Sequence, residues 1–182
     1  MRLSILSIWR KRPLPKLILT DIDGVWTDGG MYYSEDGLEL KRFNTSDSAG
    51  VLLAHKLGIP VGIITGENSQ AVVRRAGKLK VDHLFIGISN KLEVATTLCT
   101  ELGIQLKDVA YIGDDINDID LLNAVGFSAC PKNAPKYIKA IVNLVTRKAG
   151  GDGAFRFFVE HLVSQAGLKP ISIYRQSKPT LS

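Results

Sequence analysis

The fold is decided by the stretch Leu17-Ile18-Leu19-Thr20-Asp21-Ile22-Asp23-Gly24-Val25-Trp26-Thr27-Asp28-Gly29. Its first four residues predict a buried strand, and two carboxylates follow that strand directly. Alternate residues on a strand point the same way, so we expect Asp21 and Asp23 together at its carboxyl end. Open α/β sheets bind their ligands at that end. Clustered carboxylates repel unless a cation or a shared proton relieves them, and hard oxygen ligands suit Mg²⁺.

The rest of the chain alternates between strand and helix patterns. Strands are predicted at 17–20, 61–64, 84–86, 109–112, 127–129 and 141–145, and helices at 46–57, 69–79, 90–102, 115–124, 134–140 and 154–166. A hairpin is predicted within 31–43, around Glu35-Asp36-Gly37. This order predicts a doubly wound, Rossmann-like α/β fold, with a parallel sheet covered by helices on both faces. We expect an N-terminal extension at 1–15, one domain at 16–168 and a loose tail at 169–182.

Composition excludes several classes of protein. With 182 residues, 45% apolar and 23% charged, the chain is expected to form one soluble globular domain. The net charge of +5 is spread along the chain without a basic stripe, so nucleic acid is not an expected partner. No apolar run reaches the ~20 residues that span a bilayer. Cys99 and Cys130 have no disulfide or metal-ligand spacing, and basic residues follow the apolar run 3–9, unlike a signal peptide. A cytoplasmic protein is expected.

Polar residues at four strand or helix ends supply what phosphoryl transfer needs. Asp21 can attack phosphorus as a carboxylate nucleophile, and Asp23 can protonate the leaving group and then activate water. Asp114, within Gly113-Asp114-Asp115, can bind Mg²⁺ together with Asp21. Thr65 and Lys91 can donate hydrogen bonds to the phosphoryl oxygens. The sequence therefore predicts a magnesium-dependent enzyme of phosphoryl transfer.

These four segments, in this order, resemble motifs one to four of the haloacid dehalogenase superfamily of phosphatases. Further stretches resemble its subfamily acting on 8- or 9-phosphates of 3-deoxy-2-keto sugar acids: Gly24-Val25-Trp26-Thr27-Asp28-Gly29, Phe43-Asn44-Thr45-Ser46-Asp47-Ser48-Ala49-Gly50 and Gly150-Gly151-Asp152-Gly153-Ala154. The resemblance implies that Asp21, the backbone carbonyl of Asp23 and Asp114 bind Mg²⁺. It also implies that Thr65, Gly66 and Lys91 bind phosphate.

The resemblance also implies a fold without a cap domain, in a homotetramer whose neighbouring subunits close each site with a hairpin and a tail loop. About forty residues separate Asp23 from Thr65, which is room for a small β-hairpin flap and one helix but not for a large lid.

This sequence departs from the pattern of the octulosonate phosphatases at residues that bear on the choice of substrate. Many octulosonate phosphatases have a basic residue after Thr-Gly, where this chain has Glu67, and the stretch 43–50 is closer to the nonulosonate branch. Glu67 is predicted to accept hydrogen bonds from a nine-carbon chain, and Arg75 to pair with the substrate carboxylate. Asn44 is a candidate for substrate contact or helix capping. Two alternatives stay open: an octulosonate 8-phosphate substrate, and a non-catalytic module of the kind fused to cytidylyltransferases.

Overall fold

The computed structural model describes residues 11–175, and these form one layered α/β unit. The strands are β1 (Leu17–Thr20), β2 (Tyr32–Tyr33), β3 (Glu39–Leu40), β4 (Val61–Ile64), β5 (His83–Phe85), β6 (Val109–Ile112), β7 (Phe127–Cys130) and β8 (Leu144–Val145). The helices are α1 (Asp47–Lys56), α2 (Gln70–Leu79), α3 (Lys91–Glu101), α4 (Ile119–Ala124), α5 (Lys136–Lys139), α6 (Ala154–Gln165) and α7 (Pro170–Arg175). Short 3₁₀ turns lie at Leu106–Asp108 and Ile116–Asp118.

Six strands form one parallel sheet in the order β5-β4-β1-β6-β7-β8, and β2 and β3 form a separate antiparallel hairpin. Strand β1 is central, with Thr20 level with Ile63 of β4 on one side and with Ile112 of β6 on the other. The chain therefore winds outward from β1 in both directions. The carboxyl end of β1 lies at the point where the strand order reverses, which is where doubly wound folds bind ligands.

The core has one apolar layer on each face of the sheet, which the alternation along β1 explains. Ile18 packs with residues of α1, α2 and α6, whereas Leu17 and Leu19 pack with residues of α3, α4 and α5. Within residues 11–175 no helix is long and apolar enough to cross a membrane. Both cysteines are buried free thiols.

The structure confirms the predicted fold class and corrects details. All six sheet strands occur where they were predicted, although β8 has only two residues, and the hairpin strands are shorter than expected. Between β1 and β4 there are only the hairpin and α1, so the described chain has no cap domain. The expectation of a loose tail from Lys169 is wrong as far as residue 175, because α7 buries Ile173 and the Tyr174 hydroxyl donates to the Ala49 carbonyl. Most of the predicted N-terminal extension lies outside the described residues.

Asp47 caps a helix other than the one it begins. Ser46 and Asp47 are of residue types that favour a helix N-terminus, but neither makes a side-chain cap for α1. The Asp47 carboxylate is fully buried, and its Oδ1 accepts a hydrogen bond from the backbone N–H of Arg156, 3.0 Å away in the first turn of α6. A carboxylate there satisfies an orphan N–H group and complements the helix dipole. This hydrogen bond therefore links the start of α1 to the first turn of α6.

Burial makes this cap sensitive to pH. Burial raises the pKa of Asp47 from 3.8 to about 6, although the Arg156 N–H and the Arg75 charge oppose the rise. The folded protein therefore binds a proton between about pH 4 and 6 that the unfolded chain has released, so this group's contribution to stability falls as pH rises through that window. We expect the free energy of unfolding of Asp47→Asn, relative to wild type, to increase by about 2 kcal/mol between pH 4.5 and 7.5.

Urea unfolding of both proteins at the two pH values measures this difference. Asp120→Asn, which removes an exposed carboxylate on α4, is the control. A variant-minus-wild-type difference that does not change with pH would show that Asp47 does not titrate as the structure predicts.

Candidate active site

The turn after β1 is built by one backbone carbonyl and one buried tryptophan. The carbonyl oxygen of Ile22 accepts hydrogen bonds from the N–H groups of residues 25, 26 and 27 at 3.1, 2.8 and 3.2 Å. The Trp26 ring is buried, stacks on Phe155 at 4.7 Å and donates through Nε1 to Thr20 Oγ1 at 3.0 Å. These contacts fix the backbone that presents Asp21 and Asp23 at the end of the strand.

Lys91 joins the first predicted motif to the last. Its ammonium nitrogen lies 3.0 Å from Asp21 Oδ1 and 2.6 Å from Asp118 Oδ1, and the lysine is buried. Burial alone would lower the pKa of Lys91, but the charges of Asp21 and Asp118 outweigh it and raise that pKa. The Tyr111 hydroxyl also donates to Asp118 Oδ1, and Asp118 Oδ2 accepts from the backbone N–H groups of Asp114 and Asp115 at 2.7 and 3.1 Å. Asp118 is therefore a buried anchor and not a solvated helix residue.

Three carboxylates meet beside this lysine in an arrangement that fits a divalent cation. One oxygen each from Asp21, Asp114 and Asp118 lies within 4.8 Å of the others. Three carboxylates against one ammonium leave two negative charges uncompensated. Without a cation, burial and then the neighbouring charges raise the pKa of Asp21 to about 7 and that of Asp114 to about 8.

A second observation also indicates that this group of carboxylates fits a divalent cation. Asp21 Oδ1 is buried and accepts no hydrogen bond from any residue in the described part of the chain, although it is paired with Lys91. Buried carboxylate oxygens of this kind are the hard ligands that Mg²⁺ prefers. Because both oxygens of Asp118 are already engaged, Asp21 and Asp114 are the carboxylates available to a metal ion.

Gly24 is required for Asp114 to approach the turn. A Cβ atom at Gly24 would lie 1.9 Å from Asp114 Oδ2, and the residue has a φ of +80°. We expect Gly24→Ala to lower Mg²⁺ affinity at least about tenfold, because Asp114 has to move away. Gly37→Ala is the control: its φ is +82° and its Cβ would meet nothing within 4 Å, so it adds only the backbone strain of about 1–2 kcal/mol.

Calorimetric titration of both alanine variants with Mg²⁺ measures this difference. Equal Mg²⁺ affinity in the two variants would contradict the position assigned to Asp114.

The neighbouring glycine loop is crowded in a similar way, since a Cβ at Gly150 would lie 1.8 Å from the Gly24 carbonyl oxygen.

Thr65 and Gly66 follow β4, the strand beside β1. Thr65 is buried, and its Oγ1 accepts a hydrogen bond from the Glu67 N–H at 3.4 Å. Gly66 and Glu67 are exposed. Because Thr20 is level with Ile63, Thr65 lies near the level of the Asp21 turn. This position suits the predicted contact with a phosphoryl group at the end of β1.

Arg75 and Asn44 lie together, some distance along the chain from the four motifs. The Arg75 guanidinium donates to the Asn44 carbonyl at 3.1 Å and lies 5.8 Å from the Phe43 ring centroid. Its Nε is buried and makes no hydrogen bond to the residues that the structure describes. The Asn44 side chain donates to the Gly151 carbonyl at 3.1 Å and accepts from the Ser46 N–H at 2.9 Å. The Asn44 amide thus joins the segment before α1 to the glycine loop, and its predicted substrate contact stays a prediction.

Asp23 has a partner that sequence reasoning missed. Its carboxylate lies outside the three-carboxylate group and accepts from the Lys41 ammonium at 2.8 and 2.9 Å. Its predicted role as a metal ligand uses the backbone carbonyl, which this pairing leaves free. Tyr111 was also missed, because it looks like an ordinary strand residue in sequence.

Comparison with known proteins agrees with this geometry. Residues 68–158 match the haloacid dehalogenase-like hydrolases. The 3-deoxy-D-manno-octulosonate 8-phosphate phosphatase of Escherichia coli K12 is 38% identical over 152 residues, which cover 84% of this chain and 81% of that protein. This chain belongs to the haloacid dehalogenase-like hydrolases. As a member of their phosphatase branch, it is a phosphoric monoester hydrolase.

Solved structures of relatives in this family have the same fold. The Moraxella catarrhalis octulosonate 8-phosphate phosphatase, solved with magnesium, phosphate and KDO, is 34% identical with a TM-score of 0.84, covering 90% of this chain and 94% of that one. The cobalt-bound enzyme of Haemophilus influenzae is 33% identical with a TM-score of 0.80, covering 84% and 90%.

Proposed function

We propose that this phosphatase hydrolyses the phosphate monoester of a 3-deoxy-2-keto sugar acid through an aspartyl-phosphate intermediate on Asp21. The observation that supports this most strongly is the Asp21 carboxylate, buried between the Lys91 ammonium and the Asp114 carboxylate at the switch point of the sheet. A nucleophile, a cation-binding group and a phosphate donor thus meet at one place.

The reaction has two steps. In the first, a carboxylate oxygen of Asp21 bonds to phosphorus, the ester P–O bond breaks, and Asp23 gives its proton to the leaving sugar oxygen. In the second, Asp23 takes a proton from water, the water oxygen bonds to phosphorus, and the bond from phosphorus to Asp21 breaks. Inorganic phosphate leaves, and both carboxyl groups regain their starting state.

The other predicted residues bind the phosphoryl group and the cation. Thr65, Gly66 and Lys91 would donate hydrogen bonds to its oxygens, Lys91 as a fixed positive charge. Asp21, the backbone carbonyl of Asp23 and Asp114 would bind Mg²⁺. When bound, the cation neutralises the negative charge between nucleophile and phosphate.

For the substrate we propose the nine-carbon class, a nonulosonate 9-phosphate of sialic-acid type. Glu67 supports this choice, because it is exposed directly beyond Thr65 and Gly66 and its carboxylate can accept hydrogen bonds from the extra hydroxyl groups. Arg75 would pair with the substrate carboxylate. The second candidate is octulosonate 8-phosphate, which the names of the relatives favour.

A substrate panel separates these candidates. We expect kcat/KM to be about 10- to 100-fold higher for the nonulosonate 9-phosphate, the range of one charge-assisted hydrogen bond. Glu67→Arg should remove this preference, whereas Glu101→Arg, an exposed site at the end of α3, should not. Equal rates on both substrates would refute the proposed role of Glu67, and no phosphate release from either would favour the non-catalytic alternative.

We further propose a cytoplasmic homotetramer in which a neighbour's hairpin and tail loop close the site. In support, the hairpin exposes apolar side chains over 39–69% of their surface: Met31, Tyr32, Tyr33, Leu38 and Leu40. A two-stranded hairpin is marginally stable alone, so burial against another copy would stabilise it. Light scattering should give the mass of four chains, and a monomeric mass would contradict the proposal.

A further inference from the structure

Lys41 lies at the end of an exposed hairpin, yet its side chain is enclosed. It follows β3 directly, and its side chain has no solvent-exposed surface, whereas Leu38 and Leu40 beside it are more than half exposed. Lysine is almost never fully buried unless it is paired. The burial of this side chain therefore has to be explained by what its ammonium group contacts.

The ammonium group contacts the proposed proton donor. Lys41 Nζ donates to both oxygens of Asp23, at 2.8 and 2.9 Å, and lies 3.4 Å from Glu39 Oε1. Burial by itself would lower the pKa of Lys41, but the hydrogen bond and charge of Asp23 outweigh this and raise it. Apart from Lys41, the Asp23 carboxylate accepts only a 3.3 Å hydrogen bond from Thr27 Oγ1 among the described residues.

We propose that Lys41 is a positioning residue for Asp23, fixing the carboxyl group in the orientation that delivers a proton to the leaving oxygen. This deepens the proposed function and rests on it. A protonated carboxyl group still accepts at its carbonyl oxygen, so the ammonium can retain one oxygen while the other carries the proton. Because Lys41 belongs to the hairpin, the contact also links the position of this flap to the acid/base group.

The size of the effect follows from geometry. Asp23 lies in a turn, and without Lys41 only the longer Thr27 contact restrains its side chain. A displacement of about 1 Å in a catalytic group can cost about 10²-fold in rate. The loss should fall on both proton transfers of Asp23, and only the first of them, protonation of the departing alkoxide, depends on the leaving group.

The test compares two leaving groups. A sugar alkoxide needs a proton to leave, whereas p-nitrophenolate, from p-nitrophenyl phosphate, does not. We expect Lys41→Met to lower the single-turnover rate of ester cleavage about 10²-fold for the sugar-acid phosphate, with little change in KM, and less than about threefold for p-nitrophenyl phosphate. Lys41→Arg should restore most of the sugar-phosphate activity, and Lys41→Met should add no further loss to Asp23→Asn.

Lys16→Met is the matched control, since Lys16 lies directly before β1, is exposed, and is paired with Asp108 at 3.0 Å. It should leave both activities unchanged. Equal losses of the single-turnover cleavage rate on both substrates in Lys41→Met would assign Lys41 a structural role and overturn the proposal. A raised KM with unchanged kcat would assign Lys41 to substrate binding and would also overturn the proposal. If wild type releases phosphate from neither substrate, the proposed function fails and this inference fails with it.

Discussion

Asp21→Asn is expected to lower kcat for phosphate release by roughly 10⁴- to 10⁶-fold, the range found when a covalent nucleophile is removed. The amide oxygen is a poor nucleophile, and the change removes a charged ligand from the cation site. The folded protein should be no less stable, because the substitution removes a buried carboxylate whose pKa is already raised to about 7 by burial and by Asp118. Phosphate release and urea unfolding, measured on the same preparation, separate loss of chemistry from loss of fold.

Asp120→Asn is the control, since it makes the same change at an exposed carboxylate of α4 and should retain full activity. Phosphate release by Asp21→Asn within about tenfold of wild type would show that another group attacks phosphorus.

Lys91→Met is expected to damage both activity and stability. The kcat should fall about 10²- to 10³-fold, the cost of removing a preorganised charge from the transition state. The free energy of unfolding should fall by about 3–5 kcal/mol, because Asp21 and Asp118 lose their shared cation in a buried site. Steady-state kinetics and urea unfolding measure the two effects.

Lys16→Met is the matched control for stability. Lys16 is paired with Asp108 at 3.0 Å, but its side chain is 60% exposed, so its loss should cost no more than about 1 kcal/mol. If the two lysine variants were equally stable, the Lys91 network would not have the structural importance that its burial indicates.

The parts of the fold that could be predicted from sequence are those determined by neighbouring residues. A mostly apolar run followed within two residues by a carboxylate or a threonine indicates a buried strand and its polar end. Because parallel strands place their carboxyl ends on one edge, Asp21 and Asp114 could be expected together. The position of Lys91 at the start of α3 could also be predicted, because Asn90 before it is a typical helix cap. In the structure the Asn90 side chain accepts a hydrogen bond from the Glu93 N–H.

The parts that could not be predicted depend on contacts between distant segments. Asp47 looks like a cap for its own helix, yet it serves α6, more than a hundred residues later. In the sequence, Lys41 looks like an exposed lysine of a hairpin. Nothing near it in sequence indicates that its ammonium group reaches Asp23. Asp118 follows Asp114 by four residues, a spacing that fits a solvated helix face as well as a buried anchor.

Trapping the intermediate tests the central claim most directly. Wild-type protein is mixed with Mg²⁺ and the sugar-acid phosphate, quenched during turnover and treated with borohydride, which reduces an acyl phosphate to an alcohol. Peptide mass spectrometry should then find the side chain of Asp21 reduced, in proportion to the enzyme that was phosphorylated. Steady phosphate release with no reduced side chain at Asp21, or with the reduction at another carboxylate, would contradict the account.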